Sequence, residues 1–182
     1  MATVLNGLII CFVALSLGLV YLSIIGWYLS FADVLLLVLD VVLLVLFGTA
    51  LSSLICYPLN SQGAMSAVGS IVSSCYGFLC GAYMPISSFS KGLQNALAFL
   101  PGTHATSLLR NHALTGVFEA MSEEQIPEQA VDALRVVADC KLSFFGHDVE
   151  KWVMYLVLVG AVVLLIAAYV MIMTLAERKN RK

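Results

Sequence analysis

Long runs of apolar residues dominate the pattern along the chain, and they predict an all-α polytopic membrane protein. A helix needs about 20 mostly apolar residues to cross the hydrocarbon core of a bilayer, which is about 30 Å thick. Four stretches reach this length: residues 4–29, 33–57, 63–84 and 149–175. The short connections between the first three predict antiparallel neighbouring helices. The pattern therefore predicts a single transmembrane domain over residues 1–182, built on four transmembrane helices.

Prolines and polar residues break this pattern after the third predicted span. Pro85 ends the span, because proline removes a helical hydrogen bond and clashes with the preceding turn. Pro101 and Gly102 interrupt the next helical stretch, so each half has about eleven residues, or about 17 Å. Neither half can cross the membrane alone, and one kinked span would bury Arg110 at a cost of about 2.5–3.5 kcal/mol near the bilayer centre. The pattern predicts an external re-entrant helical hairpin over residues 86–116.

The pattern of apolar and polar residues over 127–139, beyond the hairpin, predicts an external amphipathic helix. Pro127 suits the first turn of a helix, and Val131, Leu134 and Ala138 share one apolar face. Such a helix is typical of a structural lid over the outer surface of a bundle, and the sequence assigns no chemistry to it.

Small residues recur every four positions along the third predicted span, at Gly69, Ser73, Gly77 and Gly81. On a helix this spacing makes a smooth ridge, which lets another helix approach closely inside a membrane. Two interpretations stay open, namely ordinary helix packing and a surface that lines a pore.

The composition agrees with a membrane protein and excludes a soluble domain. The chain is 61% hydrophobic and 11% charged, with a mean hydropathy of +0.99, whereas soluble domains contain roughly 25% charged residues. The five cysteines match no zinc or haem spacing, and four of them lie in apolar runs. We therefore expect neither a metal site nor a disulfide framework.

The charged residues are distributed unevenly along the chain. The last six residues, 177–182, contain four basic side chains and one acidic side chain directly after the fourth predicted span. A basic flank marks the cytoplasmic side of a membrane helix, and four spans then place both termini in the cytoplasm and residues 85–148 outside. We expect a multi-pass protein of the cell membrane, in contact with the lipid bilayer and not with nucleic acid.

Asp40 is the ionisable residue that lies well inside a predicted span. A carboxylate at membrane depth is by default a functional-site hypothesis, so Asp40 is a candidate for a translocation path. A structural role, as partner of a polar group on a neighbouring helix, is equally consistent with the sequence. His104, His112 and His147 have no metal-ligand spacing, and the sequence holds no phosphate-binding loop or G-x-S-x-G elbow. We expect no catalytic residue.

The ordered combination of these features resembles the membrane subunits of type-2 ABC exporters. The features are the small-residue span, "GAYMP" (81–85), "FLPGTHATSLLR" (99–110), an external insert, a last span and a basic tail. The likeness covers residues 60–182 by motif and residues 1–59 by topology alone. In that family a re-entrant hairpin forms a gate, and the resemblance places the gate residues at Gly81, Pro85, Pro101, Gly102 and Arg110.

The resemblance implies a permease subunit of an ATP-driven exporter that forms part of the substrate translocation path. It implies two kinds of partner, a second permease subunit and a cytosolic ABC ATPase subunit. ATP would be bound by the ATPase subunit, so no cofactor is expected on this chain. The family has six spans and a coupling helix, and this chain corresponds to the last four spans, which indicates a partial permease.

Two functions other than a permease compete for the same sequence features. The first is a stand-alone four-helix membrane scaffold or accessory protein without transport activity. The second is an intramembrane enzyme, which would need a second polar catalytic residue at membrane depth near Asp40. The sequence points to no such residue.

Overall fold

The computed structural model describes residues 2–123, 126–144 and 147–180. Within these residues the seven α-helices are α1 Ala2–Ile25, α2 Phe31–Cys56, α3 Gln62–Leu79, α4 Lys91–Leu97, α5 Pro101–Glu123, α6 Glu128–Val137 and α7 Lys151–Asn180. A 3₁₀ turn, Ile86–Ser88, precedes α4, and two short antiparallel strands, β1 Ser143–Phe144 and β2 His147–Asp148, precede α7. The predicted all-α class is confirmed.

Three of the described helices are long and apolar enough to cross a membrane. They comprise Thr3–Ile25, Phe31–Cys56 and Lys151–Ala176. Helix α3 has 18 residues, about 27 Å at 1.5 Å per residue, and its glycines and serines weaken its apolar character. A membrane protein with several spans is therefore confirmed, while a fourth span over residues 63–84 stays a prediction.

Helix α5 forms the centre of the fold. It packs against α2 and α7, which also pack against each other, and α1 lies along α2. Each of the three buried apolar clusters contains a residue of α5. One includes Leu108 and Met154, another includes Ala105 and Leu158, and the third includes Phe118. The polar side chains of α5 consequently lie among closely packed helices.

Apolar side chains cover the outside of the bundle as well as its core. Large side chains on α1 and α7 are more than half exposed, among them Ile10 (69%), Ile24 (79%) and Trp152 (78%). Apolar surface on this scale is unfavourable in water, because burial of such surface is the main driving force of folding. The surface is therefore suited to contact with lipid.

Helix α5 is longer than the second half of the predicted hairpin. The pattern predicted two halves of about eleven residues that end at Gly116, whereas α4 has 7 residues and α5 has 23. The predicted end is wrong, because Gly116 serves close packing inside a helix. A Cβ at Gly116 would lie 1.6 Å from the backbone oxygen of Tyr28, so two backbones meet here and only glycine fits.

Helix α6 lies within the range of the predicted amphipathic helix. Its Val131 is buried and belongs to the same cluster as Phe118 of α5, whereas Leu134 is 45% exposed. One face of the helix therefore rests on the second half of α5. Its place outside the membrane stays a prediction.

Candidate functional site

Arg110 of α5 and Asp139, which follows α6, form the first of two buried polar clusters. Nη1 of Arg110 donates to Oδ2 of Asp139 at 2.9 Å, and Nη2 donates to the carbonyl oxygen of Gly81. The same carboxylate accepts the backbone N–H groups of Ile86 at 2.6 Å and Ser87 at 3.1 Å. Asp139 is 5% exposed, so its charge is balanced by one guanidinium and two backbone donors. These five residues, the Arg110–Asp139 clamp, hold the turn after α3 against α5.

The backbone of the clamp requires particular residues at two positions. Gly81 has a φ of 79°, and Asp139 has a φ of 53°, a left-handed conformation that aspartate tolerates better than most side chains. A Cβ at Gly81 would also lie 2.8 Å from Cγ1 of Ile86. Pro85 directly precedes the 3₁₀ turn, with φ −58° and ψ 136°. Gly81 is therefore required both by conformation and by space.

Pro101 and Gly102 bring the start of α5 against the end of α3. Pro101 is the first residue of α5, where the missing N–H of proline costs no hydrogen bond. A Cβ at Gly102 would lie 2.5 Å from Sγ of Cys80 and 2.6 Å from Cε1 of Tyr76. The Gly102 N–H donates to the Tyr76 hydroxyl at 3.2 Å, and the Thr106 hydroxyl donates to the Cys80 carbonyl oxygen. The predicted hairpin residues thus lie around the junction of α3 with α5, and their role as a gate stays a prediction.

Three of the four residues of the predicted ridge line an open groove between α2 and α3. The fourth, Gly81, is not part of the ridge, because α3 ends at Leu79 and Gly81 lies in the turn that follows. Gly69, Ser73 and Gly77 line the groove from α3 and Gly48 from α2, around a volume of about 470 Å³. A Cβ at Gly69 would meet no atom within 4 Å, whereas one at Gly77 would lie 2.5 Å from the ring of Tyr83. No described helix of this chain covers the ridge at Gly69, and both helix packing and pore lining stay open.

The second buried cluster surrounds Asp40, which is 1% exposed in the first half of α2. Its Oδ2 lies 2.6 Å from Nδ1 of His112 on α5, and its Oδ1 accepts a hydrogen bond of 2.6 Å from the hydroxyl of Tyr155 on α7. The rings of His112 and Tyr155 stack, with centroids 6.3 Å apart. Because each residue belongs to a different helix, this Asp40 cluster joins α2, α5 and α7.

Sequence reasoning identified Asp40 and Arg110 but missed their partners. The sequence pointed to no second polar residue at membrane depth near Asp40, whereas His112 and Tyr155 both contact it. One general signal was available, since a buried carboxylate needs hydrogen-bond donors and a largely apolar chain offers few of them. The need for donors does not identify which polar residues bind Asp40, because these residues lie 72 and 115 positions away along the chain. The role of Asp40 in a translocation path stays a prediction.

The other two histidines join neither cluster. His104 is 4% exposed, and its Nε2 lies 2.8 Å from the carbonyl oxygen of Ala98, so Nε2 carries the proton and donates. His147 is exposed on β2. Across the described part of the chain, no group of three or more histidine, cysteine, aspartate or glutamate side chains is arranged to hold a metal ion.

Comparison with known proteins identifies the family. The family model of the ABC-2 type transporter matches residues 2–113, which include Asp40, Arg110 and His112. No curated protein and no solved structure gives a significant match. The match extends over the first two helices, where the sequence likeness rested on topology alone. The chain belongs to the ABC-2 type transporter family, as a multi-pass membrane subunit of the permease type.

Proposed function

We propose that this chain is part of the permease of an ATP-driven ABC exporter and forms one wall of the substrate translocation path. Its membership of the ABC-2 type transporter family supports a permease-type subunit. A separate cytosolic ABC ATPase subunit binds and hydrolyses ATP, and a second permease subunit completes the path. In this proposal, the spans of this chain are the last four of the usual six.

The contacts of α5 and α7 support a topology with both termini in the cytoplasm. Gly116 of α5 packs on the backbone of Tyr28, so the connection between α1 and α2 lies beside α5. Asp40, in the first half of α2, meets Tyr155 in the second turn of α7, which places the beginnings of both helices at one end of the bundle. With that end outside, the basic residues at 177–182 lie in the cytoplasm, in agreement with the positive-inside rule.

The Arg110–Asp139 clamp is the observation that supports our proposal that the hairpin acts as a gate. A hairpin that does not cross the membrane can control a path only if its position relative to the adjoining spans is fixed. The clamp provides this fixed position by binding the turn after α3 and the end of α6 to α5. Removing one partner of a buried ion pair costs about 3–5 kcal/mol. Because the Arg110 side chain is 29% exposed, we expect the loss of stability on breaking the clamp to lie near the lower end of this range.

Reconstitution into liposomes tests the proposed function. The chain is purified as a complex with a cytosolic ABC ATPase subunit and the second permease subunit, and the complex is assayed for flux of labelled drugs, lipids and oligosaccharides. We expect flux that requires ATP and every subunit of the complex, that is strongly reduced by Arg110→Gln and that is unchanged by Lys91→Gln, an exposed position on α4. A chain that forms stable complexes without any ATPase subunit, and supports no flux, would instead be a membrane scaffold.

Cysteine labelling in intact cells tests the proposed topology. The native Cys140 is a poor reporter, because it is 4% exposed and burial raises the pKa of its thiol. Exposed positions on either side of the membrane are better, namely Gln129 on α6 and Asn60 between α2 and α3. An impermeant maleimide should label Gln129→Cys and not Asn60→Cys. The opposite pattern would reverse the topology.

A further inference from the structure

The Asp40 cluster has chemistry that the permease role does not use. We propose that Asp40 and His112 together form a proton-binding site, with the Tyr155 hydroxyl as a constant donor, and that the proton taken from external water holds α2, α5 and α7 together. This inference concerns the chain itself and does not depend on the transported substrate.

The geometry of the cluster fixes the position of two protons. The Tyr155 hydroxyl donates to Oδ1 of Asp40 and so carries its own proton. The distance of 2.6 Å between Oδ2 of Asp40 and Nδ1 of His112 requires a second proton between these atoms, since two bare lone pairs would repel each other. A third proton, on Nε2 of His112, is the one that can be gained or lost.

Gain or loss of this proton changes the net charge of a buried site. With an imidazolium beside the carboxylate, or with a carboxylic acid beside a neutral imidazole, the pair is neutral. After the proton leaves, the pair carries one negative charge at a place where Asp40 is 1% and His112 is 3% exposed. An uncompensated buried charge is strongly unfavourable. The folded state therefore favours the neutral form, and the proton belongs to the pair rather than to one residue.

Among the described residues, no other charge near the pair balances the deprotonated form. Arg110 on α5 is bound to Asp139, and Lys151 on α7 lies in a surface cleft. On α2, Asp33 lies at the helix start and adds a further negative charge. Helix α1 carries no charged side chain, and its Tyr21 is 63% exposed. The proton is therefore the ion that neutralises Asp40.

A cleft between the second half of α5 and the start of α7 lies close to the pair, although none of the three cluster residues lines it. The cleft has a volume of about 290 Å³ and is lined by Asn111 and Thr115, which lie on either side of His112 along α5, and by Lys151. Lys151 precedes Tyr155 by one helical turn, a rise of about 5.4 Å. In this proposal, transient opening between the cleft and His112 lets the proton exchange with water.

The sign of the resulting pH dependence follows from the charge of the two forms. At low external pH the pair holds its proton, the site is neutral and the three helices are held together. As the pH rises, the proton leaves and a negative charge remains in the bundle. The contribution of the pair to stability is thus present at low pH and lost as the pH rises.

Histidine-selective ¹⁵N NMR of the chain in lipid nanodiscs tests the protonation directly. The chain has three histidines, and His112→Gln assigns the His112 signals by their loss. We expect the signals of the His112 ring to report one change of protonation as the pH is varied, and Asp40→Asn to move this change. The exposed His147 should titrate in the same way in both proteins. A His112 ring that titrates identically with and without the Asp40 carboxylate would overturn the proposal.

Unfolding as a function of pH tests the link to helix packing. One proton bound only by the folded form changes the unfolding equilibrium constant by about tenfold per pH unit. We expect the native chain to lose stability as the pH rises, His112→Gln and Asp40→Asn to lose this dependence, and Tyr155→Phe and His147→Gln to keep it. His112→Gln alone decides the matter where Asp40→Asn fails to fold. A slope that His112→Gln leaves unchanged would contradict the proposal, and since neither experiment involves an ATPase subunit, failure here would not bear on the exporter.

Discussion

Two carboxylates buried in the described part of the bundle, Asp139 and Asp40, differ in the groups that neutralise them. Asp139 is bound by the guanidinium of Arg110, which is always charged, and by backbone N–H groups. Asp40 is bound by His112, an imidazole that can gain or lose a proton, and by the hydroxyl of Tyr155, which donates a hydrogen bond. Both carboxylates are almost fully buried, so burial alone does not determine their behaviour. The partners of Asp139 make a permanent clamp, whereas those of Asp40 make a contact whose charge can adjust.

Asp139→Asn should cause the largest loss of stability, because it breaks the permanent clamp. The substitution leaves Arg110 without its anion and turns an acceptor oxygen into an amide that faces the N–H groups of Ile86 and Ser87. We expect a loss of about 3 kcal/mol in the free energy of unfolding, at the lower end of the range for broken buried ion pairs, measured by denaturant titration in detergent. Asp148→Asn, on the exposed strand β2, is the matched control. Equal stabilities of the two variants would show that the clamp contributes little.

Gly116→Ala should disturb the Asp40 side of the molecule and spare the clamp. Its Cβ would lie 1.6 Å from the carbonyl oxygen and 2.6 Å from the carbonyl carbon of Tyr28, so backbone must move. Overpacking of this kind costs about 1–3 kcal/mol, and the disturbed turn of α5 lies directly after His112. The check is the free energy of unfolding, with Gly92→Ala as control because a Cβ there meets open space. An unchanged stability for Gly116→Ala would mean that α1 and α2 are not held against α5.

The fold was predictable where it depends on local properties of the chain. Helices α1, α2 and α7 follow the apolar runs, because the length of an apolar stretch decides whether a helix can cross a bilayer. At Gly116, local properties of the sequence are not sufficient to predict the structure. A glycine in a helical pattern can be a helix end or a site of close approach, and only the neighbouring backbone of Tyr28 distinguishes the two.

The site was less predictable, because its contacts join distant parts of the chain. Arg110 was identified through a family resemblance and Asp40 through its depth in a span. Their partners lie 29 positions away at Asp139 and 72 and 115 positions away at His112 and Tyr155. No local pattern encodes such pairs, since they depend on which helix faces meet. From the sequence alone, the pattern around Asp139 indicates only the polar end of an amphipathic helix.

Asp40→Asn should cost less at neutral pH than Asp139→Asn, because His112 can give up its charge whereas Arg110 cannot. The asparagine oxygen can still accept one of the two hydrogen bonds, so we expect a loss of about 0.5–1.5 kcal/mol. Asp40→Leu, which offers no acceptor to His112 or Tyr155, should lose more. The measurement is denaturant unfolding of all three variants at one pH. A larger loss for Asp40→Asn than for Asp139→Asn would remove the distinction between an adjustable contact and a permanent clamp.

Lys141→Gln should have the smallest effect, because it removes an ion pair that is open to solvent. Nζ of Lys141 lies 2.9 Å from Oδ1 of Asp132, about the same distance as in the clamp, but the Asp132 side chain is 56% exposed. The hydrogen bond from Lys141 and its positive charge lower the pKa of Asp132, so any contribution to stability is present at neutral pH and lost as the pH falls through that lowered pKa. Solvent screens such pairs, and we expect no measurable change in unfolding at neutral pH, together with a rise of the Asp132 pKa toward its ordinary value by carboxyl ¹³C NMR. A loss of stability as large as that of Asp40→Asn would mean that charge proximity, rather than burial and the nature of the partner, separates these carboxylates.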